Sequence, residues 1–341
     1  MNELQSGASI DIRPESEKLK DYKFEELVAS ANPVEWVEKT EWRKFPIFNQ
    51  NGSGSCVAQT EAKELGIMRY LKDGIYVHFS ATDIYQRRAN KPDSGMGGPD
   101  ARKIATEGVT LEVLAPSQNM SDGAMDETTV EAYKRQVGEV FKVPNYVSLP
   151  IGDIETIASV IQTTKKGVMV WFYFKSDEWT DKPEVKYPDL TVQTGLRHSV
   201  CAVDFMLING KKYLVIEDSW GTAFGMAGQR FISEDFFKAR NWYASYLTSF
   251  KFDLDMQKPR FTFTTDLQIG MTSPDVVMLQ DCLKFEGLFP NDRDSTGYFG
   301  AVTKKAVEDF QIRYKIASAI TQGFGRVGPM TRAKLNEIYG V

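Results

Sequence analysis

Cysteine and histidine are scarce in this sequence. Its 341 residues contain three cysteines and two histidines. Three cysteines cannot build a disulfide-stapled scaffold, so an ordinary hydrophobic core must hold the fold. Residues 292–297, DRDSTG, imitate the start of a calcium loop, but Thr303 stands where that loop needs a glutamate. We therefore expect a polar turn there and predict no metal or cofactor.

Long apolar runs and a basic excess are also missing. No run reaches the roughly 18 apolar residues that a membrane span needs, and the first 23 residues lack the apolar core of a signal peptide. The net charge of −5 and the lack of a basic run argue against nucleic acid as a partner. We expect a protein made soluble without a signal peptide, with 42% hydrophobic residues, enough core for two domains.

A glycine-rich turn precedes one of the cysteines. The motif QNGSGSC ends at Cys56, where the helical pattern VAQTEAKELGIMRYLK begins. Free N–H groups and the positive dipole at a helix N-terminus favour a thiolate. Gln50 lies six residues upstream, across a turn that folds its amide back beside the Cys56 N–H, so two donors face a developing oxyanion. The pattern predicts that Cys56 is a nucleophile rather than an inert core thiol.

A base for this nucleophile must come from a distant part of the chain. His198 stands 142 residues further on, at the head of the apolar run SVCAVDFMLI. Residues 209–210, Asn-Gly, predict a hairpin turn that pairs Cys201 with Asp218, and a bulge would bring His198 and Asp218 together. We predict that His198 is the base and that Asp218 orients it.

The other cysteines and the second histidine have structural interpretations. Cys201 and Cys282 lie within apolar faces, which predicts that both are core residues. His78 precedes Ser80, which fits a helix N-cap with Asp83 at the third helical position. We therefore expect His78 to be structural.

These motifs resemble those of the papain-like (C1) cysteine peptidases. The family pattern Q-x-x-x-G-x-C fits QNGSGSC, the family histidine and strand fit HSVCAVDF, and N-S-W-G-x-x-x-G fits DSWGTAFG. The family's glycine pair and helix fit GMGGPDARKIATEGVTLEVLAP. The resemblance covers about residues 41–250 and implies an α+β fold with a helical half and an antiparallel β-barrel half.

The resemblance also implies roles for particular residues. Gly97 and Gly98 would offer backbone to an extended substrate peptide, and Trp220 would shield the hydrogen bond between histidine and aspartate. The implied oxyanion-hole residue, nucleophile, general base and orienting residue are Gln50, Cys56, His198 and Asp218.

Three positions depart from the family pattern. Val57 stands where the family has tryptophan, Asp218 where it has asparagine, and Ser53 where it has a half-cystine. A carboxylate at position 218 orients imidazole as well as an amide does, but it stabilises imidazolium more strongly and should shift the pH profile. The usual disulfide cannot form.

The first forty residues form an N-terminal extension in this interpretation. A helical pattern extends over about residues 15–30, which is too short for the family's helical inhibitory pro-region. We expect an enzyme that is active as synthesised or is held by a short blocking segment.

The C-terminal part contains an internal repeat. FGAVTKKAV and VGPMTRAKL begin 28 residues apart, at Phe299 and Val327, and each reads as a turn followed by a helix start. Ahead of them, Ser273 is an expected N-cap with proline at the next position. Three short helices with glycine-rich loops are predicted.

Residues 267–341 are similar to a peptidoglycan-binding domain. The family pattern, with LQ, FG-x-x-T and AV-x-x-FQ in this order, fits VVMLQDCLKFEGLF, GYFGAVTKKAVEDFQ and VGPMTRAKL. Residues 251–266 lie between the two domains and are expected to be a docked strand or a semi-extended linker. No ligand-contacting residue is predicted.

The sequence as a whole predicts a papain-like cysteine peptidase with a small three-helix domain that binds bacterial peptidoglycan. The expected substrate is a peptide or protein, either a cell-wall cross-bridge or a protein near the wall. The enzyme itself would be a phage lysis or virion protein, or a bacterial protein. Two alternatives stay open: a cysteine-dependent acyltransferase of the transglutaminase kind, and a catalytically silent wall-binding protein.

Overall fold

The computed structural model describes residues 7–9, 13–18, 22–23, 33–139, 141–143, 145–187, 196–248, 258–290 and 294–341. The chain divides into two compact units. Unit one comprises Met1–Asp21 and Ala31–Phe250, and unit two comprises Tyr22–Ser30 and Lys251–Val341. Within the described residues, no helix is both long enough and apolar enough to cross a bilayer.

Unit one combines helices with an antiparallel sheet. Its helices are α1 (Glu15–Lys18), α2 (Cys56–Asp73), α3 (Ala81–Gln86), α4 (Gly98–Glu107), α5 (Asp122–Glu127), α6 (Ala132–Glu139), α7 (Ile154–Thr164) and α8 (Glu234–Arg240). The strands within the described ranges are β1 (Ala8–Ser9), β2 (Tyr22–Lys23), β3 (Met96–Gly97), β4 (Tyr146–Ser148), β5 (Val168–Phe174), β6 (Leu196–Ile208), β7 (Lys211–Glu217), β8 (Gln229–Ser233) and β9 (Asn241–Leu247), of which β2 belongs to unit two.

Six strands of unit one are hydrogen-bonded in the order β4-β9-β5-β6-β7-β8, and each neighbouring pair is antiparallel. Helix α2 packs on this sheet, and its apolar residues share one core with Met169 and Trp171 of β5. The predicted α+β class is confirmed.

Helix α2 carries charged side chains into this core. Lys63 pairs with Glu217 of β7 at 2.5 Å, and Arg102 of α4 pairs with both Glu61, at 2.6 Å, and Glu64. All of these groups are buried. A buried charge is tolerated when it is paired and hydrogen-bonded, so these pairs fix α2 against both the sheet and α4.

The β6–β7 hairpin turns at Asn209 and Gly210, as predicted. Both have positive φ, 50° and 73°, as a two-residue hairpin turn of this type requires. The expected pairing of Cys201 with Asp218 is wrong by one residue, because Cys201 pairs with Glu217. A bulge between residues 202 and 204 causes the shift.

The described residues of unit two include three helices, α9 (Pro274–Phe285), α10 (Ala301–Arg313) and α11 (Pro329–Tyr339). The side chain of Ser273 caps α9 by accepting from Val276 N at 3.3 Å. The apolar faces of these three helices pack together in one core. Three helices were predicted here, and three are present among the described residues of unit two.

The internal repeat corresponds to a repeated hydrogen-bond arrangement. Gln280 Nε2 donates to Thr303 Oγ1 at 3.0 Å, and Gln311 Nε2 donates to Thr331 Oγ1 at 2.9 Å. Each glutamine Oε1 accepts from the backbone of a glycine loop, Gly297 N at 3.0 Å in the first copy and residue 325 N at 2.8 Å in the second. The repeated threonine is therefore a buried anchor between a helix start and the preceding helix.

The described residues near the predicted domain boundaries pack on one unit or the other. Residues 33–40, expected in the extension, lie on unit one, where Leu207 N donates to Val37 O at 2.8 Å. Within the expected linker, Phe263 is buried in the core of unit two, and residues 251–257 lie outside the described residues. The helical pattern predicted over residues 15–30 is wrong in part, because α1 ends at Lys18 and Tyr22–Lys23 is a strand.

Candidate active site

Cys56 is the first residue of α2 and is completely buried. The N-cap residue Ser55 makes no side-chain hydrogen bond to the first turn. The first N–H groups of the helix are therefore not capped by Ser55, and the helix N-terminus favours negative charge near the thiol.

A chain of side-chain hydrogen bonds connects Cys56 to the strand that carries the histidine. Ser199 Oγ of β6 donates to Thr60 Oγ1 at 3.0 Å, and Thr60 Oγ1 donates to the Cys56 carbonyl oxygen at 2.9 Å. All three residues are buried. Because Ser199 follows His198, this chain fixes the separation between the helix N-terminus and the imidazole.

His198 is buried and bonded to Asp218, as the hairpin argument predicted. His198 Nε2 lies 2.7 Å from Asp218 Oδ1. His198 Nδ1 is also buried and makes no hydrogen bond to a nitrogen or oxygen atom of the described residues. With Nε2 bonded to the carboxylate, Nδ1 is the nitrogen available to the Cys56 thiol.

The environment of His198 favours its charged form. Burial by itself would lower the pKa, but the charge and hydrogen bond of Asp218, and then the nearby Cys56, raise the pKa of His198 to about 9. The imidazolium is therefore stable at neutral pH in this site, as an ion pair with a thiolate requires.

Asp218 accepts four hydrogen bonds although its side chain is buried. Oδ1 accepts from His198 and from Ser219 N at 2.7 Å, and Oδ2 accepts from Trp179 Nε1 at 3.0 Å and Arg230 Nε at 2.9 Å. Burial opposes ionisation, but His198 and Arg230 outweigh it and hold the pKa of Asp218 well below its ordinary value. The carboxylate is ionised at every pH at which the imidazole titrates.

Gln50 is buried in the turn before α2. Its Nε2 donates to the Ser53 carbonyl oxygen, and its Oε1 accepts from Ser219 Oγ at 2.6 Å. Its backbone N–H also donates to Ser219 O at 2.7 Å. These bonds tie the turn to the residue after Asp218. An amide nitrogen carries two hydrogens, and Nε2 has one acceptor among the described residues, so one hydrogen remains for an oxyanion.

Aromatic rings surround the histidine. The Trp220 ring lies 5.0 Å from the His198 ring, between centroids, and the Trp179 ring lies 5.8 Å from it and nearly perpendicular to it. The Trp220 ring, to which the family resemblance assigns a shielding role, is therefore next to the imidazole. A cavity of about 830 Å³ opens beside these rings and is lined in part by Phe224, Met226 and Arg230.

The two glycines predicted to bind substrate have different surroundings. Gly97 of β3 pairs in parallel with Ser9 of β1, so a segment of the same chain lies along its backbone. Gly98 is buried, and a methyl group added there would lie 2.7 Å from the Trp171 ring. The missing side chain of Gly98 serves packing against the sheet.

The second histidine and the other cysteines lie where the sequence predicted. His78 stacks on Phe48 at 5.6 Å between ring centroids, and Ser80 caps α3 by accepting from Asp83 N at 3.0 Å. Both remaining cysteines are buried in hydrophobic clusters.

Residues 32–238 match the model of the papain family of cysteine proteases. This match covers more than half of the chain. The chain belongs to the papain family. Residues 272–335 match the model of a peptidoglycan binding domain. Both resemblances drawn from the sequence motifs are therefore confirmed.

Two plant members of the papain family are similar in sequence. The senescence-specific cysteine protease SAG12 of Arabidopsis thaliana is 22% identical over 232 residues, which cover 64% of this chain and 61% of SAG12. The oryzain beta chain of Oryza sativa subsp. japonica is 23% identical over 206 residues, covering 56% of this chain and 41% of that protein. The chain thus spans less than two thirds of either relative.

Xylellain, a cysteine protease from Xylella fastidiosa, has a similar structure. The TM-score is 0.59 at 16% identity, and the match covers 73% of this chain and 98% of xylellain. At this identity the likeness shows a shared papain-like fold.

Two members of this papain-family site were not found from the sequence. Arg230 and Trp179 bond directly to Asp218, but neither lies in a motif of the site. Arg230 reaches it through the pairing of β8 with β7, in which it stands opposite Ile216. The available signal was an arginine within the short strand β8, QRFIS.

Proposed function

We propose that this chain hydrolyses peptide bonds through a thioester on Cys56. The observation that carries the proposal is the orientation of His198: Nε2 is bonded to Asp218 and Nδ1 has no other partner among the described residues. A histidine held in this way can exchange one proton with a thiol while its second nitrogen stays fixed.

The proposed reaction has two steps. The Cys56 thiolate attacks the peptide carbonyl carbon, and the Cys56 N–H and Gln50 Nε2 stabilise the oxyanion. His198 then gives its proton to the leaving amine, which leaves a thioester. Water attacks the thioester, His198 takes a proton from it, and the carboxylic acid departs from the regenerated cysteine.

The test combines a mechanism-based label with matched histidine variants. Incubation with an epoxide thiol trap should add one mass increment, on Cys56. Cys56→Ser and His198→Gln should each abolish hydrolysis of a peptide substrate, whereas His78→Gln should keep it. Persistent hydrolysis by the Cys56 or His198 variant would overturn the proposal. Acyl transfer to an added amine in preference to water would identify a transferase.

We also propose that unit two directs the enzyme to bacterial peptidoglycan, so that the substrate is a wall cross-bridge or a protein at the wall, in a phage or a bacterium. The match to a peptidoglycan binding domain supports this. Residues 267–341 carry nine basic and eight acidic residues, so binding should depend on shape and hydrogen bonds and survive moderate salt.

The wall proposal is tested by sedimentation of the full chain, inactivated by Cys56→Ser, with peptidoglycan stripped of anionic polymers. We expect co-sedimentation at low and at moderate salt. Co-sedimentation at low salt that is lost at moderate salt would indicate adsorption by charge. No co-sedimentation at either salt concentration would show that unit two docks on something else.

A further inference from the structure

Asp218 is held on one side by His198 and on the other by a buried cation. We propose that Arg230 is a positioning residue for this reaction: it orients the Asp218 carboxylate and opposes its charge, so that the imidazolium of His198 can still release its proton. This inference rests on the proposed roles of Cys56 and His198.

The contacts of Arg230 fix it in one place. Its Nε donates to Asp218 Oδ2 at 2.9 Å, and its Nη1 donates to the carbonyl oxygens of Trp179, at 3.3 Å, and Thr180, at 3.0 Å. The guanidinium carbon lies 5.2 Å from the Trp179 ring centroid and 5.5 Å from that of Trp220. Only 3% of the residue is exposed. Arg230 therefore acts on the carboxylate without screening by bulk water.

The charges of the site balance only when Arg230 is counted. Among charged or titratable groups, Asp218 and Cys56 have the largest effect on the pKa of His198. The pKa of Asp218 is affected most by His198 and Arg230. A thiolate, an imidazolium and a carboxylate leave one buried negative charge, and Arg230 cancels it. Asp181 and Lys182, on the segment after Trp179, line the adjoining cavity with opposite charges.

This arrangement explains how the chain departs from the family pattern at position 218. The family's asparagine is neutral, and the pair of Asp218 and Arg230 is also neutral as a whole. An unopposed carboxylate would bind the imidazolium too strongly and hinder proton transfer to the leaving amine. An asparagine facing an unchanged Arg230 would leave a buried cation without its anion.

The experiment measures kcat and KM against pH, and the rate of Cys56 alkylation by iodoacetamide against pH, in five variants: Arg230→Lys, Arg230→Met, Asp218→Asn, the double variant D218N/R230M, and Arg88→Met. The alkylation rate reports the thiol and imidazole without using the substrate cavity. Arg88 is the control, because it is a buried arginine bonded to Asp126 at 2.6 Å and 2.7 Å. Thermal unfolding identifies variants that do not fold.

We expect Arg230→Met to lower kcat about tenfold with a smaller change in KM, and to move the alkaline limb of both profiles upward by about one pH unit, because the imidazolium gains an unopposed anion. Arg230→Lys should shift the limb less, and Arg88→Met should leave it in place. In the double variant, kcat should be at least about fivefold higher than the value obtained by multiplying the fractional kcat values of the two single variants.

The proposal would be overturned if the alkaline limb of the pH profiles stayed in place in both Arg230→Lys and Arg230→Met. It would also be overturned if the effects of the two single substitutions on kcat simply multiplied in the double variant. If Arg230→Met does not fold, the proposal is tested by Arg230→Lys and the double variant. Hydrolysis by Cys56→Ser would refute the proposed function itself, which is a separate outcome from failure of the Arg230 variants.

Discussion

Gly7 lies directly against Cys56. A methyl group added to Gly7 would stand 2.9 Å from Cys56 Sγ and 2.0 Å from the Gly54 carbonyl oxygen. Gly7 O accepts from Met96 N at 2.7 Å, and the next two residues pair with β3. The first described segment of the chain therefore occupies the backbone edge where substrate binding was predicted, and a side chain at position 7 would not fit.

We expect removal of this segment to activate the enzyme. A chain that begins at Asn32 should hydrolyse a peptide severalfold faster at low substrate concentration, because substrate no longer competes with the segment. Gly7→Val should raise the activity of the full chain in the same direction, since its side chain clashes with the Gly54 carbonyl. Equal KM values for the full, truncated and Gly7→Val chains would contradict the blocking role.

Cys56 should be the one fast-reacting thiol of the three. Burial raises the pKa of Cys201 well above its usual value, and raises the pKa of Cys282 to about 12. The thiol at the helix N-terminus has a histidine partner and needs only the displacement of Gly7. Limiting iodoacetamide followed by peptide mapping should place the first adduct on Cys56, and faster labelling is expected in the truncated chain. A first adduct on either other cysteine would contradict this assignment.

The pH dependence should follow His198. Its pKa of about 9 in the folded chain lies above the unfolded value of about 6.5. Its contribution to stability is therefore fully present below about pH 6.5 and is lost as pH rises through about 9. Activity should fall over the same alkaline range. In Asp218→Ala the effect of burial prevails, so the alkaline limb should move downward and kcat should fall more than KM rises.

The buried glutamines of unit two should control its stability. Gln311 Nε2 donates to three oxygens, those of Gly323, Arg326 and Thr331, and its Oε1 accepts from a backbone N–H. Replacing Gln311 by Leu removes the glutamine partner of the buried Gly325 N–H and of the Thr331 hydroxyl, and should cost about 2–4 kcal/mol. Gln268→Leu, at an exposed position, should change stability by less than about 0.5 kcal/mol. Thermal unfolding of the full chain measures both, and equal effects would contradict the anchoring role.

Much of the candidate site could be predicted because its members lie in short local patterns. The glycine turn before Cys56, the Asn-Gly turn after His198 and the Ser80 cap each depend on residues within a few positions, where backbone preference and side-chain capping act directly. The same is true of the Ser273 cap and the helix starts of the repeat.

The remaining contacts join residues far apart in the chain. The bulge that pairs Cys201 with Glu217 follows from packing across the sheet, and the sequence could indicate only that some bulge was needed. The position of Gly7 beside Cys56 depends on how an extended segment crosses the folded domain, which no local preference specifies.

Motif spacing and hydrophobic periodicity are local properties of the chain. They were enough to predict the papain-like family, the candidate roles of Cys56 and His198, and a second helical unit. The contacts of Arg230 with Asp218 and of Gly98 with Trp171 became clear from the folded chain. Strand register and burial set these partners, and both are fixed when distant segments compete for the same core.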